Sequence, residues 1–436
     1  MNLLLKNGRI LDPSRMTDEK GDLLIENGKI ARIAKGLSRG RKDLPDDNAA
    51  SATVLDLAGK IIVPGLIDMH THLREPGFEY KETIASGCEA AVAGGFTSIA
   101  CMPNTKPVND TRSVTEFILR QAAQCRLANV YPIAAISLQS EGEFLAEFFD
   151  LKEAGAVGFS DDGRPVMNAA LMRRALEYAS SLNMPIISHC EDSNLSAGGV
   201  MHEGDLSAEL GLSGIPGIAE EVMVARDLLL AEFTAAPLHI AHVSTAASVR
   251  LIREAKARGV RVTAETAAHY FTLTDEAVRT FDTLAKVNPP LRSADDVAAI
   301  RDGLRDGTID AIASDHAPHG RTDKEVEFDS AASGLTGLEI SLGLSLRLVE
   351  EGVLTLLQLI EKMTVRPAQI LRIPKGTLAV GADADVTVID PARRWTVDRH
   401  LLRSRGKNTP FHGTPLTGKA ILTIVGGEIR FRDFEQ

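Results

Sequence analysis

The sequence predicts an α/β fold: a (β/α)8 barrel of the TIM type with a small β-sandwich domain built from both termini. Three observations predict it. Eight apolar, β-branched runs recur through the middle of the 436-residue chain, mostly separated by helical patterns. Strand–turn–strand patterns stand near both ends. Histidines and aspartates gather at the C-terminal ends of the middle runs, where a barrel keeps its chemistry. An open doubly wound sheet is the alternative, weakened because no GxGxxG opens the first helix.

The elements follow in chain order. LLLKNGRI opens the chain and LLIENGKIARI spans Leu23 to Ile33. ILTIVGGEIRF spans Ile421 to Phe431. Each reads as an apolar strand, an NG or GG turn pair, and a second strand. VTVIDP, near the end, is a further strand. The polar stretch Lys35 to Ser51 reads as a surface loop. The middle runs are IIVPGLIDMH, FTSIACM, VYPIAAI, AVGFS, PIISHC, PLHIAHV, VRVTAET and IDAIASDH. SVTEFILRQAAQC, EFLAEFFDLKEAG, LMRRALEYASSL and AASVRLIREAKARG carry the helical period between them. The expected division is a composite β domain of residues 1–60 plus 366–436, and a barrel of 61–365.

Composition narrows the function. Hydrophobic residues make up 44% of the chain, enough for a large core, and charged residues 25%. The formal net charge of −11 argues against a general nucleic-acid binder but permits an anionic substrate held by a local arginine. Cys88, Cys101, Cys125 and Cys190 form no CxxC pair, so they read as buried thiols in a reducing compartment. The apolar run at the N-terminus is too short for a signal peptide, and no run of 18 apolar residues occurs. A cytoplasmic protein is expected.

The chemistry sits at strand ends. His70, His72 and Arg74 alternate after the first run, so on a strand they would share one face. The fourth run ends in Ser160-Asp161-Asp162-Gly163, the fifth in His189, the sixth in His242, and the eighth in Ser314-Asp315-His316. Histidine nitrogen with aspartate oxygen, without cysteine, suits Zn²⁺ and other borderline divalent ions. Spacing alone does not choose between Asp161 and Asp162, and both could be turn residues. His202, His239, His269, His400 and His412 read as structural, with His269 nearest the rim. The polar segment Ala317 to Ala332 shows few structural signals and follows Asp315. It reads either as a surface loop or as a mobile lid carrying His319, with the lid favoured.

These pieces together resemble the amidohydrolase superfamily, and within it the bacterial class I dihydroorotases. The resemblance rests on DMHTHLREPG, CMPNT, GFSDDG, SHCED, AHVST, KVNPPLR, SDHAPH and SGLTGLE, spanning Asp68 to Glu339. It implies that His70, His72 and Asp315 hold one metal, that His189 and His242 hold a second, and that Asp162 bridges them. Zn²⁺, one or two per subunit, is the implied cofactor, and Asp315 the implied catalytic acid–base. Arg74, Asn104 and His319 would hold a substrate carboxylate; Asn288, Ser333 and Gly334 would meet the ring's polar edge. Relatives often carry a Pro-Phe pair before the equivalent of SGLTGLE, where this chain has EFDSAA. The implied reaction is the reversible closure of N-carbamoyl-L-aspartate to L-dihydroorotate, by a homodimer with aspartate transcarbamoylase as a possible partner. Two rival readings are another cyclic amidohydrolase, of the hydantoinase, dihydropyrimidinase or allantoinase type, and a non-catalytic structural partner of aspartate transcarbamoylase.

Overall fold

The structure, a computed structural model, describes residues 2–37 and 53–434. Most of the expected loop at Lys35 to Ser51 lies outside the described residues. All eight expected barrel strands form. They are β1 (Leu66–Thr71), β2 (Phe96–Cys101), β3 (Asn129–Ala134), β4 (Gly158–Phe159), β5 (Ile186–Ser188), β6 (Leu238–Ile240), β7 (Val262–Ala267) and β8 (Ala311–Ala313). They pair in parallel from β1 through β8 in sequence order. A parallel bridge between Thr71 and His316, with His72 N–H donating to His316 O at 2.8 Å, draws the ends of β1 and β8 together.

Burial on both faces explains why these strands read as continuous apolar runs. Inward-facing Ile67, Met69, Ala100, Ile133, Ile187 and Ala311 fill the barrel as one cluster. Ala368, Ile370 and Leu371 of the helix Val365–Leu371 belong to the same cluster, which places that helix on the barrel's core. The outer helices start where their caps dictate. Thr83, Asn168, Thr245 and Ser293 each accept a first-turn N–H. EFLAEFFDLKEAG supplies only the short helix Phe148–Glu153.

Strands from both termini join in one eight-stranded sheet, seven in a single hydrogen-bonded path and Thr53–Asp56 off it, paired with Leu3–Asp12. Two of the three expected hairpins are present. Asn27-Gly28 turns Thr17–Glu26 into Lys29–Ala34, and Gly426-Gly427 turns Pro415–Val425 into Glu428–Arg432, all four turn residues at positive φ. LLLKNGRI is not a hairpin. Leu3–Asp12 is one strand with a bulge at Asn7. Asn7 takes φ 61°, donates its N–H to Asp22 and its side-chain amide to Asp56, so the NG pair bends the strand without reversing it.

The run IIVPGLIDMH also divides. Ile61–Pro64 pairs with Leu3–Asp12 and Val386–Thr396 in the terminal sheet, and β1 begins only at Leu66. Gly65 marks the crossing: a Cβ there would lie 2.0 Å from Thr97 Oγ1. Sheet membership therefore puts 61–64 with the terminal strands, while the helix at 365–371 goes with the barrel.

Candidate active site

Five barrel strands deliver one cluster. His70 lies in β1 and His72 just beyond it. Asp162, His189, His242 and Asp315 follow the ends of β4, β5, β6 and β8. All six are buried. Asp162 is central. Its Oδ1 lies 3.2 Å from His242 Nε2, 3.4 Å from His70 Nε2 and 3.5 Å from His189 Nδ1, and its Oδ2 lies 3.6 Å from His72 Nε2. Asp315 Oδ1 sits 3.2 Å from His72 Nε2 and 3.7 Å from His70 Nε2. Donors held about 2.1 Å from a tetrahedral cation are about 3.4 Å from each other. The observed spacings scatter around that value.

The donor set fits a divalent ion for two further reasons. His70 Nε2 is buried and has no hydrogen-bond partner among the described residues. His189 Nδ1 and His242 Nε2, 2.8 Å apart, converge on the same Asp162 Oδ1. Two overlapping groups, His70–His72–Asp162 and Asp162–His189–His242, could each hold an ion.

Asp161 does not join them. Its Oδ1 accepts N–H groups from Ile136 and Ser137 and its Oδ2 the Ser137 hydroxyl, so it secures the loop after β3. The histidines are aimed from behind. His70 Nδ1 meets Glu265 Oε1 at 2.6 Å, His72 Nδ1 meets Asn104 Oδ1 at 2.9 Å, and His189 Nε2 meets Glu191 Oε2 at 2.9 Å. Each contact leaves the other nitrogen facing the cluster, free to act as a ligand. Burial by itself would raise the Asp315 carboxyl, but the hydrogen bond from His72 and the nearby imidazoles hold it down at about 2.

Arg74 reaches the same cleft by a different route from the expected one. The strand ends at Thr71, so alternation no longer applies. Arg74 instead takes φ 64° in the turn that follows. Asp315 and His242 also adopt positive φ, at 47° and 33°. For non-glycine residues such geometry costs about 1–3 kcal/mol each and gathers at functional sites.

Arg74 Nε donates to Pro318 O at 3.1 Å, and its Nη2 lies 3.3 Å from His319 Nε2. His319 is pinned between Lys81 Nζ, 3.2 Å from Nδ1, and Ser333 O, 2.9 Å from Nε2. Lysine only donates and a carbonyl only accepts, so the proton sits on Nε2. Burial, with Arg74 and Lys81 alongside, pushes the imidazole down to about 2, which keeps it neutral. Asn288 donates to Glu191 at 2.8 Å. Gly334 has φ 133°, and a Cβ there would lie 2.7 Å from Ala317 Cβ.

A cleft of about 330 Å³ is lined by every predicted site residue except His70, which lies beneath it. Sequence reasoning missed Glu265, Glu191 and Lys81. A lone carboxylate inside the apolar run VRVTAET was the available signal for Glu265, because a buried charge needs a partner. Segment Ala317 to Ala332 is better ordered than its composition suggests. It forms a short helix, Arg321–Lys324, and buries Lys324 and Phe328. Lys286 and Lys324 spend their ammonium groups on the backbone carbonyls of Phe328, Asp329 and Thr283, which a reading of polarity cannot reveal. Among the five histidines read as structural, His239 meets Thr263 Oγ1 at 2.8 Å and faces Glu265 Oε2 at 3.5 Å.

Residues 59–248 match the family model described as dihydro-orotase-like, and 219–431 match the amidohydrolase family. A dihydroorotase of Syntrophus aciditrophicus is 64% identical over 99% of this chain and 100% of its own length. One from Pelotomaculum thermopropionicum is 61% identical, covering 99% of both. Among solved structures, the L-hydantoinase of Arthrobacter aurescens superposes with a TM-score of 0.86 at 28% identity, over 99% of this chain and 96% of that one.

Proposed function

Because the chain belongs to the dihydroorotase family of amidohydrolases, we propose a definite division of roles among the rim residues. The reaction is the reversible cyclisation of N-carbamoyl-L-aspartate to L-dihydroorotate with release of water, a step of pyrimidine biosynthesis. The observation that carries the assignment of roles is the make-up of one cleft. Nitrogen and oxygen donors cluster around Asp162, and Arg74 with neutral His319 lines the same space.

His70, His72, Asp162, His189, His242 and Asp315 would hold Zn²⁺, one or two ions, with Asp162 shared between them. A bound zinc supplies Lewis acidity and a water with a pKa near 7. The chain's own residues do the rest. Arg74 offers a planar fork of donors to the substrate carboxylate, which lysine could not match. With substrate bound, His319 would turn its Nε2–H from Ser333 O to the carboxylate, and Asn104 would add its amide. Asn288 and the backbone at Ser333 and Gly334 meet the ring's polar edge. Asp315, ionised and buried at the rim, takes the proton of the attacking water and delivers it to the leaving ring nitrogen. In ring closure it accepts the proton of the ureido nitrogen.

No helix among the described residues is long and apolar enough to cross a membrane. The four cysteines are free. Both fit a cytoplasmic enzyme. A homodimer is the assembly we expect, and the helix Ile218–Thr234 exposes Ile218, Val222, Leu229 and Phe233 along one side, which suits such a contact. Association with aspartate transcarbamoylase is tested by co-purification, with activity assayed in its presence and absence.

Metal analysis of the purified protein, run beside a dihydroorotate hydrolysis assay, tests the reading. The expected result is bound zinc, turnover, and an Arg74→Ala variant whose KM for dihydroorotate rises at least about tenfold. A wild type that prefers uncarboxylated dihydrouracil would replace this reading with the hydantoinase type.

A further inference from the structure

Two separate loops line one side of the cleft, one beside the substrate carboxylate and one beside the ring's polar edge. One runs through Ala317, Pro318 and His319, the other through Ser333 and Gly334. Their relative position sets whether His319 and the Gly334 backbone can meet one substrate. Asn408 belongs to neither loop. It lies between the terminal-sheet strands Val386–Thr396 and Pro415–Val425, and it is buried at 3% exposure.

Its side chain spans both loops. Asn408 Oδ1 accepts the His319 N–H at 2.9 Å. Its Nδ2 donates to Ala317 O at 3.1 Å and to Gly334 O at 3.0 Å. Its own carbonyl accepts the Thr336 N–H at 2.9 Å. One acceptor and two donors are matched, and the reverse amide orientation would set Oδ1 against two carbonyls. The segment around it is fastened too. Ser404 Oγ and Arg405 N–H donate to the buried Glu82 carboxylate, and Arg403 and Ser404 N–H donate to Glu339. Gly406 packs so closely that a Cβ would lie 2.6 Å from Pro318 Cβ and 2.8 Å from Asn408 Oδ1.

We propose that Asn408 is a positioning residue for the substrate: it holds His319, on the carboxylate, and Gly334, on the ring's polar edge, at the separation the ligand requires. This rests on the assignment of Arg74, His319 and Gly334 made above. Asn408 bonds none of the metal-cluster residues, so its removal acts on substrate binding and not on metal content.

Asn408→Ala and Asn408→Asp test it, through steady-state hydrolysis of dihydroorotate, metal analysis, melting temperature and a pH–rate profile. A misplaced contact of this kind costs about tenfold to a hundredfold. The expected result is a KM raised by that factor, with kcat within about threefold, metal content intact and an unchanged pH profile. Asn408→Asp keeps volume and the His319 acceptor but turns an oxygen on two carbonyls, so its KM rises as well. Folded variants with wild-type KM would overturn the proposal. So would a joint fall in kcat and metal content, or failure of both variants to fold, each of which makes the role structural. If Arg74→Ala leaves KM unchanged, the clamp itself is misassigned. If Arg74→Ala raises KM and Asn408→Ala does not, only this inference falls.

Discussion

At the scale of single residues, neighbours in sequence carry unlike tasks. Asp161 and Asp162 are adjacent and both buried, yet one ties down a loop and the other centres the histidine cluster. Asp161→Ala is expected to lower stability by about 2 kcal/mol or more in urea melts, because buried N–H groups lose their acceptor, while metal content holds. Asp162→Ala is expected to lose metal. Equal metal loss in both would refute the separation. His319 yields a pH prediction. Its folded pKa is lowered to about 2, whereas an unfolded histidine titrates near 6.5. Between those values only the unfolded chain binds the proton, so stability falls as pH drops below about 6.5 and is unaffected by this group above it. His319→Asn should therefore lose stability less steeply than wild type from about pH 6.5 to 4.5, with parallel curves above about pH 7.5.

At the scale of elements, the segment after β8 is packed in place beside the cleft. His319 stands just before the helix Arg321–Lys324, and the Lys324 ammonium is buried against the carbonyls of Thr283 and Lys286. Deleting Gly320 to Lys324 should lower turnover while metal analysis stays at the wild-type level, since no residue removed faces the cluster. Unchanged turnover would reduce the segment to a surface loop. The same scale explains the misread LLLKNGRI. An Asn-Gly pair signals a reversal only when the strands on either side can pair with each other. Here Asp22 and Asp56 meet Asn7 across the two neighbouring strands, and the chain continues as a bulge.

At the scale of the whole molecule, the two units are interlocked. Ile61–Pro64 pairs with Val386–Thr396, and Thr387 Oγ1 donates to Gly95 O at the start of β2. The segment that follows supplies Asn408 to the cleft. A chain truncated after Lys375 is expected to be poorly soluble and inactive, because it exposes Ile61, Ile62 and Val63 and removes the Asn408 tether. A soluble, active truncation would contradict that coupling.

The barrel, its strand order and the gathering of histidines and aspartates at its rim were legible in the sequence, because burial on both strand faces and the scarcity of histidine leave local patterns. The roles of Glu265, Glu191, Lys81 and Asn408 were not. Each acts through a partner that folding brings to it, from two residues away for Glu191 and His189 to 91 for Asn408 and Ala317 and 238 for Lys81 and His319, and nothing in the local chemistry of an amide, an ammonium or a carboxylate names that partner. The choice between Asp161 and Asp162 as the central carboxylate was likewise left open by spacing. Sequence by itself determined which groups stand at the rim. Only the tertiary structure decided which of them face one another, because hydrogen-bond partners are chosen by distance in space, and loops from both units of the chain meet there.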